Sequence, residues 1–421
     1  MSKNTKKILI GILAVVIALG SFLGGYFVRY YSMDEDLRAI HDLVNKYKKY
    51  YYYDDGDLVK EISDAILDEY STYYTKEEYS QIISSAKGNY KGIGLSFNAN
   101  TLEVVMVIGN SPAENAGVKV GGILSSIDAG SGYINISNSN DLNSVIGAID
   151  DDKDFKIKIK YGSNYEEFIV AKKDYKRTYV HYYDDSGYYG FNDLFGEMAM
   201  NKLSDKTLIS SPSVGYLVYD SFNGTESNLN GSAEQIECVL NKFKEDNKQS
   251  IIIDLRDNGG GYMDILSKVS AHFIDAGDGT RARISVAKDK YGREEVFNSA
   301  KCDYSEYNFK NIIILANENS ASASEAFIGA VLDYDKSDIV KVLVSSSTLG
   351  NETVYKTYGK GIMQSTYVNV DGSAVKLTTA EIFWPISYTS IHKIGVIGKD
   401  TGKILKVDKN NSLSYALELV E

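Results

Sequence analysis

Two junctions in this 421-residue chain combine residue types that bond-making chemistry needs. The first follows the apolar run Ile251-Ile252-Ile253 and reads Asp254-Leu255-Arg256-Asp257-Asn258-Gly259-Gly260-Gly261. Three consecutive glycines after a strand cost backbone entropy that a plain turn need not lose, so they point to backbone N–H groups offered to a ligand or a transition-state oxygen. A phosphate loop is the competing reading, but neither GxxxxGK[ST] nor GxGxxG spacing occurs there. The second junction follows Ile312-Ile313-Ile314-Leu315-Ala316 and reads Asn317-Glu318-Asn319-Ser320-Ala321-Ser322-Ala323-Ser324-Glu325. A strand ending near Ala316 and a helix starting near Ser324 would lift the Ser322 hydroxyl out of the sheet, with a helix N-terminus behind it that favours developing negative charge. Ser322 and Glu325 equally spell an S-x-x-E capping box, which needs no chemistry. The local sequence leaves both readings open.

Positioning such junctions takes a layered frame, and the flanking pattern supplies one. Strands are predicted at 214–219, 250–255, 311–316 and 339–344, and helices at 233–243, 265–273 and 324–332. Their alternation indicates an α/β fold with a mixed, mainly parallel sheet, whose active groups collect at strand C-terminal ends. Residues 174–213, rich in Tyr, Asp and Gly, carry no clear pattern.

The region before this core reads differently. From 90 to about 173 short β-rich runs dominate, at 94–97, 102–108, 122–127 and 155–159, with short helices at 111–116 and 141–149. Gly92-Ile93-Gly94-Leu95 enters a strand, Ser111-Pro112-Ala113-x-x-Ala116-Gly117-Val118 follows, and Gly121-Gly122-Ile123-Leu124 starts another strand. This three-part pattern resembles a PDZ domain, although Gly122 stands where that family usually has Asp. The resemblance implies that Gly92, Ile93, Gly94 and Leu95 offer N–H groups to a peptide's terminal carboxylate while the peptide adds itself as a strand. Residues 31–89 read as a helical segment: Leu37, Ile40, Leu43 and Val44 share one helix face, and Thr75 with Glu78 forms a capping box for a helix through Ile83.

At the start, Lys3, Lys6 and Lys7 precede an uncharged apolar run over 8–28, closed by Arg29. At about 1.5 Å per residue that run can cross a hydrocarbon core of roughly 30 Å. It therefore predicts one N-terminal transmembrane helix that anchors the chain at residues 1–30, with a cleaved signal as the alternative. The basic flank predicts a cytoplasmic tail and a single-pass cell-membrane protein with its catalytic region on the extracytoplasmic side.

Composition mostly excludes. A formal charge of -12, from 57 acidic and 45 basic residues, argues against a general nucleic-acid binder. Four histidines, His41, His181, His272 and His392, form no HExxH or paired-ligand motif, so metal catalysis is not expected. Cys238 and Cys302 lack metal-ligand spacing, and either a disulfide or two small semi-buried thiols fits them.

One resemblance joins these pieces. Ser320-Ala321-Ser322-Ala323-Ser324-Glu325, followed by Tyr358-Gly359-Lys360-Gly361-Ile362-Met363-Gln364, resembles the signature of the carboxy-terminal processing peptidases, or tail-specific proteases, a family of serine peptidases with a PDZ domain. Leu67-Asp68-x-Tyr70-Ser71-x-Tyr73-Tyr74-Thr75-x-Glu77-Glu78-Tyr79 matches its segment before the PDZ domain. The junction at 254–261 and Lys376-Leu377-Thr378-Thr379-Ala380 with Pro385 match its core. The resemblance implies a serine endopeptidase with Ser322 as nucleophile, Lys360 as general base and Gln364 orienting that lysine, acting on proteins or peptides with apolar C-terminal tails and needing no cofactor. Such a lysine must fall from its free pKa of about 10.4 by desolvation to accept a proton. The oxyanion would be held by the N–H of Ala323 and that of Gly259 or Gly260. A Ser-His-Asp triad through His272 or His392 has no recognisable motif. The sequence departs from the family in a longer interval between Ser322 and Lys360, with the extra residues within 344–357, in Gly259 where proline is common, and in Gly398-Lys399-Asp400, which lacks a proline after Gly398. The added residues either extend a loop or carry Lys360 out of reach, in which case the chain is an inactive PDZ-type binding or scaffolding protein. The expected division is 1–30, 31–89, 90–173 and 174–421, with a homo-oligomer left open.

Overall fold

The computed structural model describes residues 20–420 except 22, 23, 26, 52–57, 88, 99–100, 185–186, 195–196, 203–210, 225–230 and 351. The chain divides into two compact units, Met1–Ile66 and Leu67–Glu421. In the first, the helix Glu35–Tyr50 starts where the Asp34 side chain accepts from the Leu37 N–H, and a second helix spans Leu58–Ile66. The expected apolar face of the first helix stays open, with Leu37, Ile40 and Leu43 at 53%, 51% and 65% exposure.

The membrane-spanning helix expected over 8–28 is corrected here. Among the described residues no helix is long and apolar enough to cross a membrane. Residues 8–19, 22, 23 and 26 of the expected span lie outside the described ones. The transmembrane helix, membrane contact through 8–28 and the single-pass placement are therefore withdrawn, which leaves a mixed α/β core with a β-rich PDZ-like domain as the fold class.

The core of the second unit is an eight-stranded sheet. Its centre is parallel, in the order Val214–Tyr219, Ser250–Asp254, Asn311–Ala316, Val340–Ser345 and Ile404–Val407. The strand period of two sorts its side chains between two apolar layers. Leu217, Ile251, Ile253, Ile312 and Ile314 pack under the helices Ser232–Glu245, Met263–Ala271 and Ala323–Tyr334, while Tyr216, Ile252, Ile313 and Leu343 face the C-terminal helix Ser412–Glu418. Both faces are covered, which is why the central strands read as unbroken Ile and Val runs.

Residues 174–213, unassigned from sequence, extend this sheet by the antiparallel strands Val180–Tyr183, Tyr188–Leu194 and Glu197–Lys202. Stacked tyrosines hold the join: Tyr183 lies 4.6 Å from Tyr188 and 5.0 Å from Tyr216. A tyrosine is amphipathic, so a strand built from it shows no apolar alternation.

A second sheet places Ala374–Phe383 between Ile362–Val368 on one side and Thr72–Tyr74 and Arg281–Asp289 on the other, with Glu294–Lys301 outermost. The segment preceding the PDZ-like region is thereby stitched to the core, and the Thr378 N–H donates to Ser71 Oγ at 2.9 Å. The capping box of Thr75 and Glu78 forms as predicted and starts the helix Lys76–Ala86.

The PDZ-like region has its own apolar core around Leu124, Ile127, Ile157 and Ile159. It is framed by the four-stranded sheet Tyr133–Asn135, Ile123–Asp128, Asp154–Tyr161 and Asn164–Ala171 and by the pair Leu95–Phe97 and Val104–Val107. Asn89–Gly92 pairs antiparallel with Lys173–Lys176 where the chain enters and leaves it.

Candidate active site

The strands Ser250–Asp254 and Asn311–Ala316 run parallel in adjacent positions, with Asp254 opposite Leu315, so both junctions leave the sheet at one edge. Their polar residues then bolt the two turns together. Ser320 Oγ donates to the Leu255 carbonyl at 2.8 Å, Ser324 Oγ to the Asn258 carbonyl at 2.9 Å, and Asn317 Nδ2 to Asp257 Oδ1 at 2.8 Å. Ser320 and Ser324 are fully buried by this work. Ser322, between them, lines an apolar cavity of about 140 Å³ instead. The turn gives it φ 57° and ψ -114°, a conformation unfavourable for a residue with a Cβ. Strain of that kind persists only where surrounding structure enforces it, and it gathers at functional positions.

Gly260 enforces part of it. Its φ is +97°, and a Cβ there would come within 2.7 Å of the Ala321 carbonyl and 2.8 Å of both the Ala323 nitrogen and Ser322 Cβ. Replacing Gly260 by Ala must push the Ser322 turn away, at a cost on the order of 3 kcal/mol. The expected outcome is a lower denaturation midpoint together with loss of any Ser322-dependent turnover; a variant with wild-type values in both would show that the turn does not need this close approach.

The three glycine N–H groups beside this turn are not equivalent. The Gly260 N–H is given to Asn258 Oδ1 at 2.9 Å, and neither Gly259 nor Gly260 lines the cavity. Gly261 does, beside Ser322 and Ala323. Phe222 donates to the Gly260 carbonyl and accepts from the Tyr262 N–H, so the Gly261 N–H between them is turned to the opposite side of that bridge.

Lys360 lines the cavity too. Within the interval before it, Ser347–Leu349 pairs with Glu352–Val354 as a hairpin. What fixes the lysine is Glu325, a fully buried side chain that the sequence offered only as a helix cap. Its carboxylate accepts from the Ser322 N–H at 2.9 Å, the Gly359 N–H at 2.8 Å, the Lys360 N–H at 2.9 Å and Thr357 Oγ1 at 2.5 Å. One carboxylate thus ties the serine turn to the lysine segment. Burial pushes its pKa up, and these hydrogen bonds pull it back.

The amine of Lys360 lies 5.6 Å from the centre of the Tyr70 ring. Its pKa is lowered, first by burial and then by the like charge of Lys376, against a smaller opposite pull from Glu325. Because a lysine base acts only when neutral, activity that depends on it falls as pH drops through its pKa. Lys376→Gln removes the like charge, so the acid limb of kcat/KM is expected to move to higher pH; an unmoved limb would show that Lys376 does not tune the site. Tyr70 and Lys376 lay within recognised motifs, but nothing in the sequence signalled their nearness to Lys360.

Gln364 lines the same cavity, and its buried Nε2 has no hydrogen-bond partner among the described residues. No hydrogen bond joins Ser322 Oγ to Lys360 Nζ among the described residues, a looseness common before substrate arrives. His272 is held by Asp303 at 2.8 Å, and neither it nor His392 lines the cavity. Cys238 and Cys302 are free thiols. In the PDZ-like region Gly94 packs so closely on Ser111 that a Cβ would fall 2.0 Å from the serine's own, whereas Gly92 faces open space. Beyond them Leu95 and Phe97, with Leu142, Val145 and Ile146 of the helix Ser139–Ala148, pack partly buried against the core of the region.

A strained serine and a half-buried lysine thus line one cavity at the edge of an α/β sheet, in a chain that also carries a PDZ-like region. Residues 213–399 match the sequence model of peptidase family S41. The chain is 28% identical over 343 residues to a probable CtpA-like serine protease of Staphylococcus haemolyticus, covering 80% of this chain and 57% of that one. With the counterpart from Staphylococcus epidermidis the identity is 30%, over 80% of this chain and 58% of that one. The chain thus spans less than two thirds of the length of these relatives. Among solved structures it resembles a photosystem II D1 C-terminal processing protease, with a TM-score of 0.51, 19% identity and coverage of 87% of this chain and 86% of that one, a likeness of fold. Residues 213–399 thus match peptidase family S41, and over 80% of its length the chain is similar to CtpA-like serine proteases.

Proposed function

We propose that this chain is an endopeptidase that cuts polypeptides through Ser322 and Lys360 and takes substrates by apolar C-terminal tails held at the PDZ-like region. The observation that carries the reading is the pairing of a strained Ser322 with a Lys360 whose charged form is disfavoured, in one apolar cavity. Lys360 Nζ takes the proton of Ser322 Oγ as the oxygen attacks the scissile carbonyl carbon. The resulting oxyanion is held by the N–H groups of Ala323 and Gly261. The C–N bond then breaks, the leaving amine takes the proton back from Lys360, and water attacks the acyl-enzyme by the same route in reverse. Gln364 acts as the neutral partner that aligns the amine without adding a charge that would raise its pKa.

Met263, Ala326, Ile362, Ile382, Trp384 and Ile391 line the cavity, which suits a small apolar side chain next to the scissile bond. Gly92, Ile93, Gly94 and Leu95 are the proposed carboxylate loop, and the working division of the chain is 31–89, 90–173 and 174–421. The test is to offer the full chain an unfolded protein ending in apolar residues beside the same protein ending in Asp. Faster internal cleavage of the apolar-tailed protein is expected; no cleavage of either would sink the reading, and equal rates would remove the tail preference.

A further inference from the structure

A second cleft, of about 520 Å³, opens beside the serine cavity and is lined by Tyr74, Gln81, Ser85, Tyr90, Asn223 and Tyr262 among others. Tyr262 lines both cavities, so one side chain separates them. At the other end Tyr90 sits in the strand Asn89–Gly92, which leads directly into the carboxylate loop proposed above. The cleft therefore occupies the ground between that loop and Ser322. Its one acidic lining group, Glu78, is taken up by the Thr75 N–H at 2.8 Å and Thr75 Oγ1 at 3.1 Å. What remains is phenol rings, a hydroxyl, side-chain amides and the apolar Ile82 and Ala86, a surface for uncharged, stacking or hydrogen-bonding residues.

We propose that this cleft binds the stretch of substrate between the scissile bond and the C-terminus, with preference for uncharged and aromatic residues. The inference rests on the peptidase reading and adds to it which walls hold the departing tail. The helix Lys76–Ala86, outside both the sheet core and the PDZ-like region, thereby becomes part of the substrate path.

The full chain is tested with two internally quenched peptides that share every residue up to the scissile bond. One ends just past it, and the other continues with an uncharged, tyrosine-containing tail. The longer peptide is expected to gain about tenfold in kcat/KM, mainly through KM, which corresponds to one well-buried ring. Ser85→Trp and Gln81→Trp, each placing a ring in the cleft, are expected to bring the long-to-short ratio close to one; because the ratio is taken within each variant, partial unfolding cancels. A wild-type ratio near one, or a ratio untouched in both variants, overturns the proposal. A benzophenone in the long tail, photolysed on the Ser322→Ala chain, reads the site without turnover. Attachment within 74–86 or at Tyr262 supports the cleft, and attachment confined to residues outside its walls overturns it. A wild-type chain that cuts neither peptide while the tail still attaches in the cleft would count against the peptidase reading alone.

Discussion

Lys360→Ala is expected to lower turnover about a thousandfold or more, the range that a positioned general base contributes, while the fold persists. Among the described residues the side chain makes no hydrogen bond that the core depends on: it is the backbone N–H of Lys360 that Glu325 holds, and that survives the substitution. Lys360→Arg is the sharper probe. It keeps the positive charge but cannot lose it near neutral pH, so it is expected to be as inactive as the alanine variant. In the wild type, burial and Lys376 lower the lysine's pKa, so kcat/KM should rise with pH as the neutral amine accumulates. Steady-state kinetics across pH check both points. An active arginine variant would show that the residue serves as a fixed charge and not as a proton acceptor.

Glu325→Ala is expected to cost activity and stability together. Removing this buried carboxylate strands the N–H groups of Ser322, Gly359 and Lys360 and the Thr357 hydroxyl at once, a loss of roughly 4 kcal/mol. The serine and lysine segments would then drift, and a misplacement of an ångström costs about a hundredfold in rate. Glu325→Gln keeps the shape but turns an amide donor toward N–H groups that need an acceptor, so it should fall between wild type and alanine. Urea denaturation and kcat measured on the same samples check the pair. If kcat falls with stability unchanged, Glu325 acts on the chemistry directly; if stability falls with kcat unchanged, it only braces the fold.

The contrast between Glu325 and Ser322 shows what the sequence could and could not disclose. Parallel strands at 214–219 and 311–316 were legible because burial on both faces leaves uninterrupted β-branched runs. Tyr188–Leu194 was not, since tyrosines satisfy core and solvent alike, and Glu294–Lys301 was missed because its surface face is charged. Ser322, Lys360 and Gln364 stood out through the order of motifs, and all three reach one cavity. Glu325 passed for an ordinary cap: three of its four bonds run to residues 32 to 35 positions away, beyond any local pattern. Three glycines in a row carry no mark of which N–H is already spent, and the Asn258 side chain takes that of Gly260. The apolar run at 8–28 misled in another way, for hydropathy read a span that no described helix supplies.

The central claim is that Ser322 is the attacking nucleophile, and one comparison tests it most directly. Wild-type chain and Ser322→Ala are given the same apolar-tailed unfolded substrate at matched concentration, with circular dichroism to confirm equal folding. The account predicts cleavage by the wild type and none above background by the variant; turnover retained by Ser322→Ala would contradict it.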